Sequence, residues 1–155
     1  MKIKFKKIHP GAIMPKHSHL GDAGLDLTSV AIDMDEYGNE VHDFGLAVEI
    51  PLGYVGLMFP RSSNANHLEM PSNCVGVIDS NYRGSMKVKM RPIMDYRLRT
   101  TKFEPDLFEK NRQKWQVGDR VCQLVIVPHI TVQPEWAEVL SETIRGENGY
   151  GSTGK

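Results

Sequence analysis

The sequence predicts an all-β sandwich or barrel built as one domain. Three observations carry that reading. Apolar residues recur with period two, the alternating runs are short, and Gly, Pro, Asn and Asp close almost every run. The length of 155 residues suits a single domain. A chain of that size buries roughly two-thirds of its unfolded surface and needs no covalent staples.

The runs follow in order. In "KIKFKKI" Ile3, Phe5 and then Ile8 stand against lysines, a strand with one wet face. No apolar stretch follows those lysines, so the segment does not read as a signal peptide. "LDLTSVAIDM" and "DFGLAVEIP" carry short alternations ended by turn residues. "YVGLMFP", "NCVGVID", "SMKVKMRPI" and "DRVCQLVIVPHITV" read as further strands. One stretch breaks the pattern: "DYRLRTTKFEPDLFEKNRQKWQ", residues 95–116, is charged and lacks alternation. Pro105, with acids early and bases late, fits a short helix or an ordered surface excursion. Such an excursion is either a tolerated insertion or a contact site for a partner or neighbouring subunit.

The bulk numbers exclude several classes. With 19 basic and 19 acidic side chains, there is no electrostatic case for a generic nucleic-acid or membrane binder. No run approaches the length of apolar chain that crosses a bilayer. Cys74 and Cys122 each sit in an apolar run and read as reduced core residues of a cytosolic-type protein. The six histidines are scattered, His17 and His19 lack a third zinc ligand at suitable spacing, and nothing marks a nucleophile elbow.

Chemistry concentrates in five loop or strand-end clusters. "DAGLDL" is either a turn entering a strand or, through Asp26, a carboxylate near a hydrated cation. "PRSSNANH" offers Arg61, Ser62 and Ser63 at a helix start. That set serves as a helix cap with a surface ion pair, or as a grip on a phosphate chain. "NCVGVIDSNYRG" looks like a β-hairpin bending near Ser80 and Asn81. It is either an Asx-type turn with a packing tyrosine or a base-reading pocket. In the second case Asn73 and main-chain groups meet the base edge, Tyr82 packs on a sugar, and Asp79 can take a proton from water. In "GDRVCQLVIVP" Gln123 is the one amide among apolar residues, to be satisfied by structure or by ligand. The fifth cluster, "RGENGYGSTGK", superficially fits part of a P-loop. It lacks the strand before, the helix after and the Ser or Thr beyond Lys155 that a P-loop needs.

Taken in order, "AGLDL", "PRSS", "GVIDSNYRG", "GDRVCQLVIVP" and "RGENGYGSTG" resemble the five motifs of the trimeric dUTPase family. The resemblance runs from Asp22 to the end of the chain. It implies a β jelly-roll with little helix over residues 1–144, interrupted by a 95–116 surface insertion, and a mobile glycine-rich arm over 145–155. It also implies a homotrimer whose three active sites are shared between subunits. The implied activity is hydrolysis of dUTP to dUMP and pyrophosphate with Mg²⁺, which keeps uracil out of DNA and supplies dUMP for thymidylate synthesis.

By that resemblance Asp79 activates the attacking water and Asp26 touches the metal through water. Arg61, Ser62, Ser63 and Gln123 hold the phosphate chain. Asn73, Gly76 and Ile78 line the uracil pocket, and Tyr82 lies under the deoxyribose. From the arm, Arg145 with Gly151, Ser152 and Thr153 holds the terminal phosphates, while Tyr150 stacks on uracil. Asn81, Ser63 and Tyr150 stand where many members have Asp, Gly and Phe. The long 95–116 region is similar to an insertion in some phage members, which implies a phage or prophage origin, a cytoplasmic setting and a possible protein partner there. Two alternatives stay open: a dCTP deaminase-like enzyme of the same fold, and a nucleotide-gated regulatory protein that binds a repressor.

Overall fold

The computed structural model describes residues 1–93 and 113–149, which form ten strands and one short helix. The expected helix of the 95–116 stretch lies largely outside those residues, and Gln113–Gln116 at its end is not helical. The strands are β1 (Lys4–Lys7), β2 (Leu25–Thr28), β3 (Ala31–Met34), β4 (Glu40–Asp43), β5 (Leu46–Glu49) and β6 (Tyr54–Pro60). Helix α1 (Asn64–His67) follows, then β7 (Glu69–Pro71), β8 (Gly76–Ile78), β9 (Lys87–Pro92) and β10 (Arg120–Pro128). All pairings are antiparallel, in sheets of order β1-β5, β2-β10-β6-β8 and β3-β4-β9-β7. The all-β jelly-roll reading holds. Among the described residues no helix is long and apolar enough to cross a membrane.

Alternation builds the core. In β9 Val88 and Met90 turn inward and their neighbours outward, as period two requires. Leu27, Met58, Ile78 and Leu124 from one four-stranded sheet join Phe44, Val48, Ile50 and Met86 in a single buried cluster. Strand β10 is the hub, because it pairs with β2 on one side and β6 on the other. Its run "VCQLVIV" breaks alternation at a bulge between Arg120 and Cys122, so that Val121 and Cys122 are both fully buried.

Several local expectations change. "LDLTSVAIDM" is two strands in different sheets, β2 and β3, joined through Ser29 and Val30. "NCVGVIDSNYRG" is not a hairpin: β8 pairs with β6, whereas β9 pairs with β4 and β7, so the bend at Asp79–Tyr82 carries the chain between sheets. Ser63 precedes α1 with helical backbone angles and makes no side-chain capping bond. Cys122 is buried, and desolvation pushes its thiol up to about 12, but Cys74 is exposed in a left-handed turn with φ of 64°. Val75 beside it lies in a bend, and the run reaches the core only at Ile78.

Candidate functional site

Two separate cavities gather most of the chemistry. The first, of about 660 Å³, opens where β2, the end of β6 and the start of β10 meet. Register places Asp26 opposite Gln123 and Gln123 opposite Phe59, so three strands deliver side chains to one spot. Arg61 Nε donates to Asp26 Oδ1 at 2.8 Å. Arg120 Nη1 donates to Asp26 Oδ2 and to Ser18 Oγ, both at 2.9 Å, and Ser18 Oγ donates to Asp26 Oδ2 at 2.7 Å. Gln123 Nε2 donates to the Pro60 carbonyl at 3.1 Å, which satisfies the lone amide of the strand. A Cβ on residue 24 would meet this side chain, so Gly24 leaves Gln123 the space to lie where it does.

Burial alone raises the Asp26 carboxyl, but the Ser18 hydrogen bond and the charges of Arg61 and Arg120 outweigh it and hold it below its ordinary value. The carboxylate is thus ionised and already accepts three donors out of about four lone-pair positions. That leaves room for a water and none for a chelating role. Among the described residues no three His, Cys, Asp or Glu side chains gather to hold a metal by themselves. Such a donor set would suit a hard divalent cation held chiefly by a ligand's oxygens and its own waters rather than by protein side chains.

The second cavity, of about 520 Å³, lies along β8 and the turn that follows it, and includes Asn73, Gly76, Ile78, Asp79 and Tyr82. Strand β8 is the outer strand of its sheet among the described residues, so its far edge presents main-chain groups to the cavity. A bond from Tyr82 N to the Asp79 carbonyl, 3.0 Å, closes the turn and leaves Asp79 exposed at the strand end. Arg83 Nη1 braces that turn on the Ser80 and Tyr82 carbonyls at 2.7 and 2.8 Å. Tyr82 Oη donates to the Ser85 carbonyl at 3.0 Å, and a Cβ on residue 84 would strike the ring. Gly84 therefore sets where the tyrosine face lies.

The two cavities share no lining residue: Asp26, Arg61, Ser62 and Gln123 belong to one, and the base-side set to the other. Ser63 stays beside Arg61 without lining either cavity, its Oγ 3.4 Å from Arg61 Nη1. Arg145 stands apart from both, bonded to the Asn148 carbonyl at 3.0 Å. It belongs to an exposed terminal stretch that includes Trp136, Leu140 and Ile144. Tyr150, Gly151, Ser152 and Thr153 lie outside the described residues. Sequence reasoning missed Ser18, Arg120, Gly24 and Gly84. The two glycines sit inside quoted motifs, but the close approaches that require them are visible only in three dimensions.

Comparison with known proteins identifies the family of this fold. A family model described as dUTPase matches residues 11–95. The deoxyuridine 5'-triphosphate nucleotidohydrolase of Escherichia phage T5 is 37% identical over 161 aligned residues, covering 98% of each chain. The protein of the same name from Corynebacterium glutamicum is also 37% identical, over 99% of this chain and 95% of its own. Among solved structures, the Staphylococcus bacteriophage 80alpha dUTPase with dUpNHpp superposes with a TM-score of 0.79 at 27% identity, covering 99% of both chains.

Proposed function

Because the chain belongs to the dUTPase family and is a dUTP diphosphatase, we propose that it cleaves dUTP to dUMP and pyrophosphate with Asp79 as the general base. The observation that supports this most directly is the division of chemistry between the cavities. One offers an exposed carboxylate at the end of an open strand edge, beside an amide and a tyrosine face. The other offers cations and hydroxyls suited to a phosphate chain.

Water, deprotonated by Asp79, forms the new bond to the α-phosphorus. The bond from that phosphorus to the bridging oxygen breaks, and pyrophosphate leaves with the electron pair. Aspartate is a weak base in water, so holding the water in line supplies much of the effect. Asn73 and the β8 edge at Gly76 and Ile78 read uracil, and Tyr82 lies against the deoxyribose. Arg61, Ser62, Ser63 and Gln123 hold the phosphates. Mg²⁺, when bound, offsets charge on the phosphates, with Asp26 accepting from one of its waters.

The separation of the half-sites supports a homotrimer in which one copy's base-side cavity faces another's phosphate-side cavity. Residues 1–144 then form the body and 145–155 the arm, with Arg145, Tyr150, Gly151, Ser152 and Thr153 closing over the ligand. Such an enzyme keeps uracil out of DNA and supplies dUMP in the cytoplasm. The test is pyrophosphate release from dUTP and Mg²⁺ by the intact protein and by Asp79→Asn. Wild type turns over, and the variant loses about a hundredfold or more while still binding nucleotide. Ammonia release from dCTP without pyrophosphate from dUTP would replace this reading with a deaminase.

A second reading has its own observation. Ile93 N bonds the Leu68 carbonyl at 2.8 Å and Gln113 N bonds the Asn66 carbonyl at 3.2 Å. Ile93 before the 95–116 region and Gln113 near its end thus both rest on the end of α1, which follows Arg61–Ser63. Phage dUTPases, among them that of Staphylococcus bacteriophage 80alpha, control transfer of virulence genes. A role for 95–116 as a protein contact is compatible with catalysis. Pull-downs with the intact chain and with one lacking 95–112, which keeps the buried Trp115, test it: identical partners would remove the role.

A further inference from the structure

Strand periodicity places residues three apart on opposite faces. Arg120 and Gln123 nonetheless line the same cavity, because the bulge at Val121 inserts one extra residue between them. The fold thus spends an irregularity of its central strand on bringing a guanidinium to Asp26. That guanidinium reaches the carboxylate oxygen that Arg61 does not use, and bridges it to Ser18 on the facing loop.

We propose that Arg120 is a positioning residue for triphosphate binding, acting through Asp26 to aim Arg61. This rests on the functional reading above. A carboxylate inside a cavity for a polyanion repels its own ligand unless its charge is matched. It also orients a guanidinium only if its own torsion is fixed. Arg120 does both. By holding Oδ2 together with Ser18, it presents Oδ1 to Arg61 Nε and fixes the guanidinium at the cavity that Arg61 lines. Arg61 Nη1 makes only long contacts, 3.4 Å to Ser63 Oγ and 3.3 Å to the Arg120 carbonyl, so it turns readily to a phosphate oxygen. Among the lysines, arginines and aspartates of the cavity, Lys16, Arg61 and Arg120 face Asp22 and Asp26. Without Arg120 the cations no longer outnumber the carboxylates.

The test is titration of wild type, Arg120→Gln, Arg120→Lys, Asp26→Asn and the Asp26→Asn/Arg120→Gln double variant with dUpNHpp and with dUMP, beside steady-state kinetics on dUTP and a melting curve for each. Arg120→Gln weakens dUpNHpp binding about tenfold, the scale of one charge-assisted hydrogen bond. It raises KM more than it lowers kcat, and leaves dUMP affinity nearly unchanged. Arg120→Lys recovers part of the loss, and the double variant is no weaker than Asp26→Asn, because the effect passes through that carboxylate. Unchanged dUpNHpp binding in Arg120→Gln would overturn the proposal. Equal losses for dUpNHpp and dUMP, or independent losses that multiply in the double variant, would also overturn it. A wild-type protein that binds neither nucleotide would instead remove the functional reading on which the proposal stands.

Discussion

Asp26 within a strand and Asp79 just after one are both carboxylates that line a cavity, yet their surroundings differ. Asp26 is held among two guanidiniums and a hydroxyl, whereas Asp79 stands exposed at a strand end where a water can reach it. The first environment has a consequence for stability. The folded Asp26 carboxyl lies below its ordinary value of 3.8, so the folded state holds the charged form more tightly than the unfolded chain does. The stability it contributes is complete above that value and is lost as pH falls through the lowered folded one. Denaturant titrations of wild type and Asp26→Asn therefore diverge most above about pH 4 and converge below it. A gap that does not change with pH would show that the charge of Asp26 contributes nothing. At this scale the sequence was most informative where a motif is contiguous. Asn73, Asp79 and Tyr82 lie within ten positions and share one cavity. Arg120 was illegible because simple alternation turns it away from Gln123, and only the bulge brings it back.

Strand β10 shows what alternation reveals and what it hides. Its length and apolar run were legible, and its place as the hub between β2 and β6 fits a strand exposed only at its two ends. The partners of each strand were not legible. A bend such as Asp79–Tyr82 has the same residue types whether the chain turns back on its own sheet or crosses to another, so the hairpin reading failed there. Short β7 was missed because Glu69, Met70 and Pro71 carry no alternation. Glu69 is instead buried, with its carboxylate accepting from Trp115 Nε1 at 2.7 Å, while the Trp115 ring stacks on His67 at 3.3 Å. The hub role has a measurable cost. Leu124 is fully buried on β10. Leu124→Ala removes its methyl groups from both the sheet's core face and the facing cluster, and destabilises by about 2–5 kcal/mol. In a thermal melt that is a fall of roughly 5–15 °C. A loss below about 1 kcal/mol would mean that the core closes over the gap and that β10 is not its centre.

The whole molecule carries no net formal charge, so attraction for a polyanion has to be local, and it is concentrated where Lys16, Arg61 and Arg120 meet. Locality has a structural counterpart in the terminal stretch. Val139, Leu140 and Ile144 are all more than four-fifths exposed, with Trp136 fully so. Apolar side chains in that number do not stabilise an isolated chain in water; they gain free energy only by leaving water against another surface. The arm that follows them is rich in glycine, and ordering it costs backbone entropy that a bound ligand has to offset. Under the proposed closure its contribution is to the complex with ligand rather than to the folded body. Removing residues 146–155, while keeping Arg145 and the apolar stretch, lowers kcat/KM for dUTP by about a hundredfold or more, because the reacting groups lose their closing contact and bulk water enters. The same deletion moves the melting temperature by about 2 °C or less. It also leaves the mass measured by light scattering at that of the intact assembly less the deleted residues. Comparable losses of activity and thermal stability would make the arm a structural strap. A change in assembly size would place it in the subunit contact instead.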